Sequence, residues 1–309
     1  MTFKPVAKRL DASRIKRLYE AGYWRDEVAG DLLKQNAFKR PNDLAVVDGT
    51  RHSSWAELYK ASIRFALHLK ALGIKPGDAV ALQLPNWLEY IICYYGIQFV
   101  GAIVVQIGAD WRSSEMAYGL SIGPAKVVII PREFLDHDYV STLTDLLPRL
   151  PKLKHILVAR GKAPRNCISL DEILADSIED RVSPTTLYKY RPSPDDIVRI
   201  VFTSGTTGLP KAIMHTSNTL AHSAKITQAD FNHNAKDVFL IYLPFSTNFG
   251  SITGLQLSVL VGATVVLMDR FSVTKALNLI ANEKVTFIPG TPTAFIALSN
   301  SPAIENTCL

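Results

Sequence analysis

Short runs of Val, Ile and Leu recur along the chain, separated by longer stretches whose apolar residues return every three or four positions. A short, wholly apolar run suits a strand covered on both faces, and the longer period suits an amphipathic helix. Alternating the two dictates an α/β architecture of repeated βα units. The runs at 44–47, 79–84, 102–106, 126–130, 156–158, 197–202, 238–242, 263–267 and 285–288 predict strands. The clearest helical pattern starts after Ser54 and ends near Leu72, with Trp55, Leu58, Phe65 and Leu69 on one face. Ser54 with Glu57 makes a capping box at its start, and Gly73 supplies the stop. A polar segment at 181–196, with Pro184, Pro192 and Pro194, reads as a connector between two α/β lobes, residues 1–190 and 191–309.

The chain has 309 residues, 48% hydrophobic and 20% charged, enough for sizeable cores and unlike a disordered or fibrous sequence. Its net charge of +6 suits anionic ligands such as nucleotides, and equally a bland basic surface. No nucleic-acid-binding module accompanies that charge, so no nucleic-acid partner is expected. The three cysteines, Cys93, Cys167 and Cys308, lie far apart and form no CxxC pair. That spacing favours free thiols in a reducing, cytoplasmic compartment and gives no zinc site. Residues 91–109 are almost uncharged, but Gly96, Gln98, Gly101, Gln106 and Gly108 interrupt them. They read as a buried helix at 88–100 running into a strand at 102–106, not as a membrane span.

The stretch with the most chemistry follows the strand at 197–202: Thr203, Ser204, Gly205, Thr206, Thr207, Gly208, Leu209, Pro210 and Lys211. Glycines let backbone amides approach a ligand closely, hydroxyls donate to oxyanions, and Lys211 adds a mobile positive charge. Together they suit the grip of a polyphosphate. Composition alone also allows a flexible Ser/Thr/Gly linker. The spacing is not that of a GxxxxGK[ST] loop, because the lysine comes three residues after Gly208 and Ala212 follows it.

TSGTTGLPK resembles the signature of the adenylate-forming superfamily, which includes acyl- and aryl-CoA synthetases and aryl acid–AMP ligases. Ala212 stands where that family usually has Gly. Ser53-Ser54-Trp55-Ala56-Glu57-Leu58, then Gly73–Asp78 with Leu84-Pro85-Asn86, resemble its early elements. Gly101-Ala102-Ile103, Arg112-Ser113-Ser114-Glu115 and Thr291-Pro292-Thr293 resemble later ones, so the likeness runs over about residues 22 to 309. It implies the layered N-terminal domain of such an enzyme.

Leu243-Pro244-Phe245-Ser246-Thr247-Asn248-Phe249-Gly250 resembles the family's acid-site motif, with Thr247 where many members have His. The resemblance implies that Thr247, Asn248, Phe249 and Gly250 lie beside the acid. An Asn–aromatic pair at these positions, with the leader Gly22-Tyr23-Trp24, is similar to the dihydroxybenzoate-activating branch. An aromatic or cyclic acid is therefore expected first and a fatty acid second. The alternative is that Phe249 is a core aromatic and Asn248 a helix cap. The phosphate loop, Thr203 to Gly208 with Lys211, would hold the β- and γ-phosphates of ATP, with Mg²⁺ sharing their charge and CoA as the acceptor thiol. The resemblance places the adenine motif and the catalytic lysine beyond Leu309, so that the chain by itself is expected to be catalytically incomplete, with a complementing C-terminal fragment as a possible partner. A nucleotide-binding pseudoenzyme is the alternative reading.

Overall fold

A computed structural model describes residues 11–203 and 210–306. Its strands, in chain order, are β1 (Leu44–Asp48), β2 (Arg51–Ser54), β3 (Ala79–Leu82), β4 (Ile103–Gln106), β5 (Ala125–Pro131), β6 (Glu133–Phe134), β7 (His137–Asp138), β8 (His155–Ala159), β9 (Ile168–Ser169), β10 (Ile197–Thr203), β11 (Lys211–Thr216), β12 (Val238–Ile241) and β13 (Thr264–Leu267). One sheet runs β11-β10-β4-β3-β5-β8-β9, parallel throughout except for the antiparallel β10–β11 pair. A second runs β12-β13-β1-β2, parallel but for β1–β2. Both sheets take strands from either side of residue 190, so the two stretches of chain interleave.

The helices are α1 (Ala12–Glu20), α2 (Ala29–Lys39), α3 (Trp55–Ala71), α4 (Leu88–Phe99), α5 (Ser113–Ile122), α6 (Tyr139–Leu146), α7 (Leu170–Ala175), α8 (Ser217–Phe231), α9 (Asn248–Ser251), α10 (Ser258–Val261), α11 (Val273–Glu283) and α12 (Pro292–Ser299). The predicted capping box closes both ways at the start of α3: Glu57 N donates to Ser54 Oγ and Ser54 N to Glu57. Side chains alternate faces along a strand. In β3, Val80 and Leu82 therefore join a core between the two sheets, while Ala79 and Ala81 face α5 and α6. The second sheet turns Val47, Leu240 and Val266 outward against α11 and α12.

Between the sheets lies α4, in which every residue from Leu88 to Gln98 is buried. A helix covered on all sides loses the polar stripe of a surface helix. This accounts for the nearly uncharged stretch at 91–109. Among the described residues, no helix is long and apolar enough to cross a membrane.

One predicted strand is reduced. At 285–288, a single parallel bridge joins Phe287 to Phe239, with Thr286 N donating to Val238 O at 2.9 Å and Leu240 N to Phe287 O at 3.0 Å. Lys284 before it is left-handed, and Pro289 after it lacks an N–H, which leaves little length for a ladder. Five paired strands escaped the apolar pattern: β6, β7 and β9 are only two residues long, and β2 and β11 consist mostly of polar or exposed residues. The connector at 181–196 is not a free linker: Leu187 packs with Ile63 and Leu67 of α3, and Arg191 pairs with Asp26 and Asp31.

Candidate functional site

The predicted phosphate loop hangs between two paired strands. Thr203 ends β10 and Lys211 begins β11, directly opposite each other in register. Ser204, Gly205, Thr206, Thr207 and Gly208 lie outside the described residues. The base of the loop is braced by aromatic packing. Phe202 sits against Trp111 at 5.2 Å and Tyr118 at 6.3 Å between ring centres, and Tyr118 Oη donates to Pro210 O at 2.8 Å. Lys211 itself is exposed at the end of the hairpin.

The second predicted cluster follows β12. The chain leaves Ile241, turns at Leu243–Phe245 and enters α9. Thr247 is the N-cap: its Oγ1 accepts from Gly250 N at 3.1 Å and donates to Pro244 O at 2.8 Å. The cap is thus Thr247, not Asn248, and a hydroxyl residue here fulfils a local structural need. Phe249 is 48% exposed, so it is no core aromatic. At Gly250 a Cβ would run into the carbonyl oxygens of Pro244 and Leu243. The helix continues as a π-helix over Ile252–Leu257 before α10, a form enriched at functional sites.

Three buried polar side chains from the parallel sheet and its loops fasten this segment. Asn86, after β3, donates to Leu243 O at 2.9 Å, and its Oδ1 accepts from Phe245 N at 2.9 Å. Gln106, the last residue of β4, donates to Phe245 O at 2.8 Å. Arg199 in β10 donates to Asn248 Oδ1 and to Ser251 Oγ. Parallel α/β sheets present ligand sites at the carboxyl ends of their strands. Here the end of β4 and the middle of β10 hold the segment that follows the end of β12.

The electrostatics are unusual. Arg199 is fully buried, and among the described residues no carboxylate pairs with it. Burial lowers its pKa from the ordinary arginine value, with Tyr94 and Tyr90 opposing that from α4. His215 lies beside it across the β10–β11 ladder. Burial, and then the Arg199 charge, push the imidazole down to about 4, against an opposing hydrogen bond to Asn248, so it is neutral at physiological pH. His215 Nε2 and Arg199 Nε are buried and make no hydrogen bond among the described residues.

Among the described residues, Arg199, four positions before Thr203 on the same strand, links the two predicted clusters through Asn248. Sequence reasoning missed Asn86, Gln106, Arg199 and His215 as site residues. A signal existed for Arg199, the lone charge in the run Ile197-Val198-Arg199-Ile200-Val201-Phe202. The Thr291-Pro292 turn also borders this region, Thr291 N donating to Tyr242 Oη at 3.0 Å.

The fold and these paired clusters define an adenylate-forming α/β domain. The AMP-binding enzyme family matches residues 33–308, and the chain belongs to that family. It is 32% identical over 273 residues to the medium-chain fatty-acid–CoA ligase of Escherichia coli strain K12, covering 88% of this chain and 47% of the relative. It is 32% identical over 266 residues to the 2,3-dihydroxybenzoate–AMP ligase of Bacillus subtilis strain 168, covering 86% and 47%. Among solved structures, the anthranilate CoA ligase AuaEII in complex with anthranoyl-AMP superposes with a TM-score of 0.83 at 25% identity, over 92% of this chain and 53% of that one. The chain spans about half the length of the curated relatives it matches.

Proposed function

We infer that this chain forms the ATP- and acid-binding part of an enzyme that activates a carboxylic acid as its acyl-adenylate. The observation that carries this reading is the joint between the clusters: the segment at 247–251 is fastened by Arg199 to the strand that delivers Thr203 to the phosphate loop. An acid held there and a nucleotide held by the loop would meet at the ends of the same strands.

In the reaction, a carboxylate oxygen attacks the α-phosphorus of ATP, the bond to the bridging oxygen breaks, and pyrophosphate leaves. A thiol, CoA in this proposal, then attacks the activated carbonyl and releases AMP. Both steps are displacements, so the protein's part is positioning and charge compensation. Thr203, Ser204, Gly205, Thr206, Thr207, Gly208 and Lys211 are assigned to the β- and γ-phosphates. Among the described residues, no group of three or more His, Cys, Asp or Glu side chains could hold a metal ion. Mg²⁺ in this proposal arrives bound to the nucleotide. Thr247, Asn248, Phe249 and Gly250 are assigned to the acid, and a cytoplasmic setting fits its free thiols.

An aromatic or cyclic acid is the preferred substrate and a fatty acid the second. The exposed ring of Phe249 beside Asn248 supports the former, as do the dihydroxybenzoate- and anthranilate-activating relatives; the fatty-acid relative supports the latter. Acid-dependent ATP–pyrophosphate exchange by the full-length gene product tests the reading. The panel is benzoate, salicylate, 2,3-dihydroxybenzoate, cyclohexanecarboxylate and octanoate. Exchange with a ring acid is expected. Nucleotide binding with no exchange across the panel would leave a nucleotide-binding protein without this activity.

A further inference from the structure

Arg199 is the feature that the reading above does not absorb. A guanidinium is always charged near neutral pH, and burying an ion without a counter-charge is costly. Among the described residues, the groups facing it are all neutral at pH 7. Asn248 and Ser251 come from α9, Tyr90 and Tyr94 from α4, and His215 from β11. The two tyrosines are buried with phenols pushed above their ordinary range, so neither supplies a negative charge.

Arginine has donors only, so Asn248 must turn Oδ1 toward it. Asn248 is thus held from the sheet side by Arg199, with a further hydrogen bond to His215 on β11. Ser251 Oγ accepts from Arg199 and passes a hydrogen bond to Thr247 O at 2.7 Å, which ties the start of the segment to the same charge. Of the acid-site residues named so far, Asn248 is thus oriented directly by Arg199, and the backbone carbonyl of Thr247 is tied to it through Ser251.

We propose that Arg199 is a positioning residue of the acid site, fixing the orientation of Asn248 and drawing the incoming carboxylate as the counter-ion its burial lacks. This rests on the assignment of residues 247–250 to the acid. The charge acts through Asn248 and through space, since the guanidinium itself is wholly covered. At the intermediate effective dielectric of a partly buried site, one such charge several ångströms away changes affinity for an anion by about tenfold.

The test separates charge from packing by comparing an acid with its neutral amide. Calorimetric titrations would use the full-length protein saturated with a non-hydrolysable ATP analogue. The ligand pair is benzoate and benzamide, or octanoate and octanamide if octanoate gives the strongest exchange. Arg199→Met is expected to weaken the acid about tenfold more than the amide, and Arg199→Lys to restore most of that difference. Arg199→Gln, which keeps donors but no charge, should behave as Arg199→Met does and serves if the latter does not fold. In the same proteins, the His215 imidazole followed by NMR should titrate higher in the neutral variants and stay low with lysine. Equal weakening of acid and amide, or no change in either, would overturn the proposal. A loss of ATP affinity with acid affinity intact would assign the charge to the phosphates and overturn it too. Wild-type protein that binds nucleotide but no acid of the panel would remove the underlying reading, and the proposal with it.

Discussion

Asn86, Gln106 and Arg199 are polar side chains in apolar company, and each bonds to the backbone or side chains of one short segment, 243–251. Buried polar groups are costly unless bonded, which makes such groups sharp determinants of local geometry. Replacing Asn86 by Ala would strand Phe245 N and the Leu243 carbonyl. We expect a loss of about 3 kcal/mol in urea-unfolding free energy, larger than for a surface Asn. His215 gives a second prediction at this scale. Its folded pKa near 4 lies below the ordinary 6.5, so the unfolded chain binds the proton more readily. Its contribution to stability is complete above about pH 6.5 and is lost as pH falls toward 4. Unfolding midpoints of wild type and His215→Gln, measured from pH 7 to pH 4, should differ by an amount that changes only across that window.

At the scale of elements, the hairpin β10–β11 and the turn into α9 form the working unit. The hairpin fixes where Thr203 and Lys211 stand, whatever the loop between them does. Lys211→Ala would remove the charge-assisted phosphate contact proposed for it and should lower ATP affinity by about tenfold to a hundredfold in a binding titration, with little effect on stability. Gly250 has the opposite profile. Its α-carbon faces the Pro244 and Leu243 carbonyls, so Gly250→Ala must push the turn away from the helix. We expect a stability loss of about 1–3 kcal/mol, read from thermal or urea unfolding, together with weakened acid binding. The capping hydroxyl of Thr247 belongs to the same turn, and it shows why Thr is tolerated where a His is frequent: the position starts a helix.

Across the whole molecule, the two sheets are joined by α4 and by a charged strap at its start. Glu89, 3% exposed, receives Arg51 from β2 and Arg160 from the end of β8, and Arg160 also reaches Asp48 of β1. Burial opposes ionisation of Glu89, but hydrogen bonds from Arg160 and Arg51 outweigh it and hold the carboxyl below its ordinary range. Arg160 also lies 4.0 Å from the centre of the Trp87 ring. Glu89→Gln is expected to cost about 2 kcal/mol, discounted because both arginines are partly exposed. A double-mutant cycle with Arg160→Met should show clear coupling in urea unfolding; strict additivity would refute the strap.

Much of this was legible in the residues themselves. Period and apolar runs determined most of the strands, the long capped helix α3 and the buried helix–strand pair at 88–106, because local propensity and burial on both faces leave a direct mark on composition. The ordered Ser/Thr/Gly/Lys stretch and the Thr247–Gly250 segment likewise carried the resemblance to the AMP-binding enzyme family, whose model matches residues 33–308. The tertiary structure decided what period cannot carry. It gave half-polar, partly exposed β11 its place in a sheet, and reduced 285–288 to one bridge at an edge. It interleaved the two halves of the chain in both sheets. It also set Arg199 beneath Asn248, although 49 positions separate them. A buried polar side chain is read only against its partners, and those partners come from strands that are neighbours in space alone.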